Sequence, residues 1–251
     1  MQSDIELSII LPAYNEAGII RQTLEKVSES VEGIPGIELI VCDNNSTDQT
    51  ADIALKAGAK VIHEPINQIS RARNTGASIA KGKWFLFIDA DTYPESELMR
   101  AVIEGIGQDN MIGFGSTVKA IDGPLWARLR LERLNPSMRL FKWTGGAFLG
   151  CEAEAFSQLG GFSDSLYAYE EIEFVRRLKK YGRKQGKSFT IFHKHPVFTS
   201  ARKGDIWSFP VLVLSTLSAL ILLLLHSILP SKWMRKTHPF FLGFWYKQRR
   251  E

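Results

Sequence analysis

The chain has 251 residues, 45% of them hydrophobic, and a net charge of +4. That length holds one large α/β domain or two small ones. The positive balance is mild and its basic residues are not interleaved with aromatics over a broad face. It therefore argues against a nucleic-acid binder and fits a phosphate-rich small molecule or an anionic membrane surface.

Residues 6–11 read as a short apolar strand, followed by the loop Pro12-Ala13-Tyr14-Asn15-Glu16. Residues 17–30 have helical spacing, with Ile19, Ile20, Leu24 and Val27 on one side. A second strand, 37–42, ends at Asp43-Asn44-Asn45-Ser46-Thr47-Asp48 and passes into a helix over 49–57 closed by Gly58. Residues 60–63 form a third strand, 67–80 a helix, and 84–89 a fourth strand. This alternation predicts a mostly parallel sheet covered by helices on both faces. The two cysteines, Cys42 and Cys151, lack metal-ligand spacing and predict buried free thiols. The first six residues lack a basic n-region, so no signal peptide is expected.

The strand ends carry the chemistry. The apolar run Phe85-Leu86-Phe87-Ile88 stops at Asp89-Ala90-Asp91-Thr92. Two acids at i and i+2 beside a strand end either form a solvated turn or share a hard divalent cation that holds a diphosphate. Tyr14 offers a flat face for a base or packs its own loop, and Glu16 offers a carboxylate for ribose hydroxyls. Asp43 either accepts a base N–H or caps the next helix. Arg71 and Arg73 meet a base carbonyl or phosphate, or lie on a solvated helix face.

Four segments in order, IILPAYNE, VCDNNSTDQT, ISRARNTG and FLFIDADT, resemble the nucleotide-sugar-binding half of the family 2 glycosyltransferases, which have the GT-A fold. One departure is Asp43-Asn44-Asn45-Ser46, where the family usually has Asp-Asp-Gly-Ser. The resemblance implies that Pro12, Tyr14, Glu16 and Asp43 embrace a uracil or other base and its ribose. It also implies that Arg73 reaches the base or diphosphate, that Asp89 meets ribose or metal-bound water, and that Asp91 ligates Mn2+ or Mg2+.

Further on, residues 95–106 read as a helix and 111–118 as a strand broken by Gly113 and Gly115. Residues 126–143 alternate five cations with leucines in a roughly amphipathic pattern, which suits a membrane interface, a phosphorylated acceptor or an ordinary solvated face. The glycines of 144–150 admit a ligand close to the backbone or form a tight turn between strands. Gly160-Gly161-Phe162 followed by Glu170-Glu171-Ile172-Glu173 resembles the family's Gly-Gly-Phe segment and its acidic helix start. In that alignment Glu171 stands for the usual catalytic Asp, beside Glu170. The alternative is acids that favour a helix N-terminus. His195 is a candidate further metal ligand. Arg202, in a Thr-Ser-x-Arg-Lys segment like that of some small family members, either neutralises the leaving diphosphate or anchors the chain beside a membrane.

Residues 206–230 contain no Asp, Glu, Lys or Arg. About twenty helical residues span a bilayer core of roughly 30 Å. Both flanks are basic, which favours an in-plane or re-entrant segment over a single span if the body faces the cytosol. A buried helix in a soluble oligomer is the alternative.

The expected organisation is a GT-A catalytic domain over 1–204, with a nucleotide-sugar half (1–92) and an acceptor half (93–204). A membrane-associating segment over 205–251 follows. The expected activity is metal-dependent, inverting transfer from a nucleotide sugar, a UDP-sugar first, to a lipid-linked or other hydrophobic acceptor on the cytoplasmic face of a membrane. The rival readings are a nucleotidyltransferase of similar fold and a non-catalytic sugar-nucleotide scaffold.

Overall fold

A computed structural model describes residues 5–166 and 169–202. The predicted segment over 205–251 lies outside the described residues. Among those described, no helix is long and apolar enough to cross a membrane.

The first half alternates as β1 (Leu7–Ala13), α1 (Ile20–Ser30), β2 (Ile37–Asp43), α2 (Thr50–Lys56), β3 (Lys60–His63), α3 (Ile69–Ser78) and β4 (Trp84–Ile88). The second half comprises β5 (Thr92–Tyr93), α4 (Ser96–Ile106), β6 (Met111–Ala120), α5 (Leu125–Glu132), α6 (Asn135–Phe141), β7 (Phe148–Glu152), α7 (Ala153–Gln158), α8 (Glu170–Lys184) and β8 (Ser188–Thr199). The strands form one eight-stranded sheet in the order β3-β2-β1-β4-β7-β6-β8-β5. Its β3-β2-β1-β4 part is wholly parallel. Strand β7 enters antiparallel between β4 and β6, joining the two halves through one continuous ladder.

Both faces of the sheet are covered, as a βα alternation requires. On one face Leu7, Ile9 and Leu11 pack with Ile20, Leu24 and Val27 of α1 and with Leu98, Met99 and Val102 of α4. These spacings put the apolar side of each helix against the sheet. On the other face Ile10, Phe85 and Phe87 pack with Phe156 of α7 and Phe174, Val175 and Leu178 of α8. Aromatic rings run through this second core. Phe87 and Phe162 lie 5.0 Å apart edge-on, and Phe162 and Phe174 lie 4.7 Å apart. Phe162 thus ties the strand that ends in Asp89 to the helix that begins with Glu170. Phe162→Ala should cost about 3–5 kcal/mol, as large aromatic-to-alanine cavities do, measured by urea unfolding.

Two expectations change here. Gly113 and Gly115 do not break β6, which runs unbroken from Met111 to Ala120. Instead they leave room for neighbours: a Cβ would fall 2.7 Å from the Gly150 carbonyl oxygen at Gly113, and 2.5 Å from Thr144 Cβ at Gly115. The basic stretch 126–143 is two short helices rather than one face. Pro136 stands in the first turn of α6, and the Asn135 side-chain amide accepts the Val118 N–H on Oδ1 and donates from Nδ2 to the Val118 C=O, both at 2.8 Å. Cys42 and Cys151 are buried free thiols, and burial pushes both well above the ordinary thiol range.

Candidate active site

Strands β1 and β4 part company after Ile10↔Phe87, while β1 stays paired with β2 as far as Ala13↔Asp43. Pro12 falls beyond the last β4 pair, where a missing N–H forfeits no ladder bond. The chain runs outward from β1 to β3, then returns to place β4 on the other side of β1. Open α/β sheets bind ligands at such a switch point, outside the carboxyl ends of the strands. The loops after β1, β2 and β4 meet there.

Cross-loop hydrogen bonds fix two of these loops. Asn15, in the left-handed region at φ 52°, accepts the Thr47 N–H on Oδ1 at 2.8 Å, and its own N–H donates to Ser46 Oγ at 3.0 Å. The Glu16 N–H donates to Thr50 Oγ1 at 2.8 Å, and Ala17 N–H to Asp48 Oδ2 at 3.1 Å. Asp48 therefore stitches the β1 and β2 loops together, while buried Asp43 accepts the Ser46 N–H on Oδ1 at 3.4 Å. The Asp43 carboxylate lies 3.0 Å from His63 Nδ1. Tyr14, in the loop between Pro12 and Glu16, is half-buried.

The Asp89-Ala90-Asp91 turn is held from two sides. Thr23 Oγ1 of α1 donates to the Ala90 carbonyl at 2.7 Å, and the Ser200 N–H donates to the Asp91 carbonyl at 3.1 Å. Asp91 is buried, whereas the Asp89 side chain keeps 32% of its exposure. Arg202 reaches the same place: its Nη2 pairs with Glu16 Oε2 and lies 3.9 Å from Asp91 Oδ2. A latch positions it. Asp122 accepts from Ser200 Oγ at 2.7 Å and from the Ala201 N–H at 2.8 Å. Gly123, at φ 85°, lies so close that a Cβ would fall 2.5 Å from the Ala201 carbonyl oxygen. Asp122 was not foreseen, although an Asp-Gly pair signals a turn.

Arg73 joins the Asp89 turn to the acidic helix. It is 2% exposed and donates from Nη1 to Glu170 Oε1 at 2.7 Å and from Nη2 to Asp89 Oδ1 at 3.1 Å. Burial opposes its charge, but Asp89, Glu170 and Glu171 outweigh burial and raise its pKa further. The guanidinium lies over the Phe162 ring at 5.4 Å. Gly146 makes room for it, since a Cβ there would sit 1.9 Å from Arg73 Nη2. Arg71, by contrast, turns outward to Glu64 and Asp164. Removing the Arg73 charge strands a buried carboxylate, so Arg73→Met should cost about 3 kcal/mol, read as a lowered urea midpoint.

The three acids opening α8 separate into different roles. Glu170 pairs with Arg73. Glu173 binds Arg177 through both oxygens at 2.7 Å, and Arg177 donates to the Leu159 and Gly161 carbonyls, fixing the Gly-Gly-Phe turn. Asn74 of α3 grips the same turn through the Phe162 N–H and C=O, each at 2.9 Å. Glu171 makes no ion pair among the described residues. A helix N-terminus favours its ionised form. Burial and the adjacent Glu170 prevail, pushing its carboxyl up to about 8 against the opposing pull of Arg73.

His195 lies on β8 where the strand pairing with β6 is irregular. Ser116 pairs with Phe192 and Val118 with Val197, so β8 bulges out between those pairs and carries His195 with it. The neighbour of the acidic turn is Thr199, further along the strand, where it pairs with Thr92. Among the described residues, no three His, Cys, Asp or Glu side chains form a ready-made metal cage. The oxygen set of Asp89 and Asp91 fits a hard divalent cation that completes its shell with diphosphate and water.

A family model described as glycosyl transferase family 2 matches residues 8–203. The chain belongs to that family. Among curated relatives, an uncharacterized glycosyltransferase of Haemophilus influenzae is 26% identical over 182 residues, covering 68% of this chain and 61% of that protein. The family 2 chain thus spans less than two thirds of that relative's length. Two solved structures share its GT-A fold. S. aureus TarS 1–349 in complex with UDP-GlcNAc is 19% identical with a TM-score of 0.62, covering 78% of this chain and 58% of that one. Mannosyltransferase PcManGT from Pyrobaculum calidifontis, in complex with GDP-Man and Mn2+, is 19% identical with a TM-score of 0.60, covering 78% and 56%.

Proposed function

We propose that this chain transfers a sugar, with inversion, from a nucleotide sugar to a lipid-linked or other hydrophobic acceptor at a membrane's cytoplasmic face. The observation that carries the reading is the Arg73 bridge. It holds Asp89, at the donor crevice, and Glu170, beside the raised Glu171 carboxyl, in one cluster. A UDP-sugar is the first donor to test, because Asp43 at the crevice wall is an acceptor for a base N–H. UDP-GlcNAc bound to TarS and GDP-Man bound to PcManGT support the donor class.

Pro12, Tyr14, Glu16 and Asp43 would line the base and ribose. Asp91, with Asp89, would hold Mn2+ or Mg2+, whose charge offsets that of the departing diphosphate. Arg202 would leave Glu16 for the diphosphate, adding a second cation at the leaving group. Glu171 takes the acceptor O–H proton as that oxygen bonds to sugar C1. The bond from C1 to the β-phosphate oxygen breaks, and its electron pair leaves with the nucleoside diphosphate. The Asp89–Arg73–Glu170 bridge supports a reading in which proton removal and leaving-group stabilisation share one site.

The test is a nucleotide-sugar panel assayed for donor hydrolysis and transfer to a membrane lipid extract, with Mn2+ and with chelator. Turnover of one donor that chelator abolishes supports the reading. Binding of a donor with no turnover under any condition overturns it in favour of a sugar-nucleotide scaffold.

A further inference from the structure

The apolar residues left at the surface are unevenly spread. Leu125, Leu129, Leu140 and Phe141, exposed by 69%, 45%, 75% and 64%, all stand on α5 and α6. Between them Arg128, Arg130, Arg133 and Arg139 are also exposed. The two acids nearby are engaged with backbone and loop: Glu132 accepts the Ala120 N–H at 3.2 Å, and Asp122 holds Ser200 and Ala201. Exposed leucines with clustered arginines and few competing acids make up the composition of a helix that lies in an anionic lipid surface.

Two further observations give this surface a direction. The Asp122 and Gly123 latch holds Ala201 directly ahead of α5. The chain therefore leaves the described body beside these helices, and four residues past Arg202 begins the 206–230 stretch that lacks any Asp, Glu, Lys or Arg. The pair is also tied to the catalytic helix. Lys179 of α8 donates to the Phe141 carbonyl at 2.8 Å and to that of Lys142 at 3.2 Å. Arg130 lies close enough to Tyr169 to pull its pKa down, while burial and Glu171 push it up.

We propose that α5 and α6 dock the enzyme on the headgroup layer of an anionic bilayer and so hold Glu171 at the level of a lipid-borne acceptor. The role in catalysis rests on the lipid-linked acceptor proposed above. The docking itself rests on the surface alone.

The experiment uses the full chain with a single probe. Both native cysteines are buried, so Leu140→Cys takes a polarity-sensitive fluorophore selectively. Leu55→Cys, 63% exposed on α2, is the control. With vesicles of phosphatidylcholine and phosphatidylglycerol, the label at 140 should shift to the blue and be quenched by spin-labelled lipid, with no change at 55. The shift should disappear with pure phosphatidylcholine, in the Arg128→Glu/Arg133→Glu double variant, and as salt rises from about 0.05 to about 0.5 M. A chain that sediments with vesicles while the label at 140 stays in water overturns the proposal, because another segment then does the docking. A label already in an apolar setting without vesicles also overturns it, because another part of the chain or a second copy then covers the surface. No donor is needed, so loss of sugar transfer with an intact shift would reject the proposed function alone.

Discussion

Asp91→Asn is expected to lower metal-dependent transfer by about a thousandfold or more, since cation stabilisation of a departing diphosphate is worth several kcal/mol. The substitution keeps the side-chain shape and removes only the charge. The turn should survive it, because the Ala90 and Asp91 carbonyls are held by Thr23 and the Ser200 N–H rather than by the Asp91 side chain. Initial rates over a Mn2+ titration would check it, with a melting curve to show that the fold is kept. Asp89→Asn should behave differently. It takes a partner from buried Arg73, so part of its effect should appear as lost stability. A variant at Asp91 that keeps full turnover at ordinary Mn2+ would remove it from the cation site.

Glu171→Gln is expected to reduce kcat by about 10²–10⁴-fold, the usual worth of a positioned base, with donor affinity little changed. Its pH dependence is the sharper sign. Only the ionised carboxylate can take a proton, and burial with Glu170 alongside raises Glu171 to about 8. The kcat/KM profile, which reports groups of the free enzyme, should therefore climb through neutral pH and level off above about 8. An unperturbed Glu would level off above about 4.3. The two carboxyls titrate as a pair, so the midpoint belongs to both. Stability runs the other way. A carboxyl raised by folding contributes fully below its unfolded pKa and loses that contribution as pH rises through its folded value. Glu171→Gln should therefore lose less thermal stability than the parent between about pH 4.5 and about pH 8. A flat kcat/KM profile over that range would contradict Glu171 as the base.

The β3-β2-β1-β4 part of the sheet was readable because its logic is local. Each strand stops at its own polar cluster, and a βα alternation forces those ends onto one edge of the sheet. The strand ending at Asp89 and the buried thiols follow from composition and run length. The linkages between distant segments could not be read the same way. Arg73 and Glu170 stand 97 positions apart, and nothing in either segment says that a fully buried guanidinium joins them. The signal that was present, a glycine doublet at Gly145-Gly146, was read as a turn or ligand approach, whereas Gly146 makes room for Arg73. Asp122 and Ser200 are 78 apart and meet only because β6 and β8 run side by side. The irregular pairing of β8 with β6 around His195 has no local signal in the sequence. The break between α5 and α6 was missed although Pro136 could have signalled it, and the hold of Asn135 on Val118 has no local signal.

The central claim is that a nucleotide sugar is cleaved between the sugar and the diphosphate. Phosphorus NMR of a reaction containing Mg2+, the active donor from the panel and a membrane lipid extract tests it directly. Growth of nucleoside diphosphate resonances, dependent on Mg2+ and absent in Asp91→Asn, is the predicted result. Growth of an inorganic pyrophosphate resonance instead would mean nucleotidyl transfer and would contradict the account.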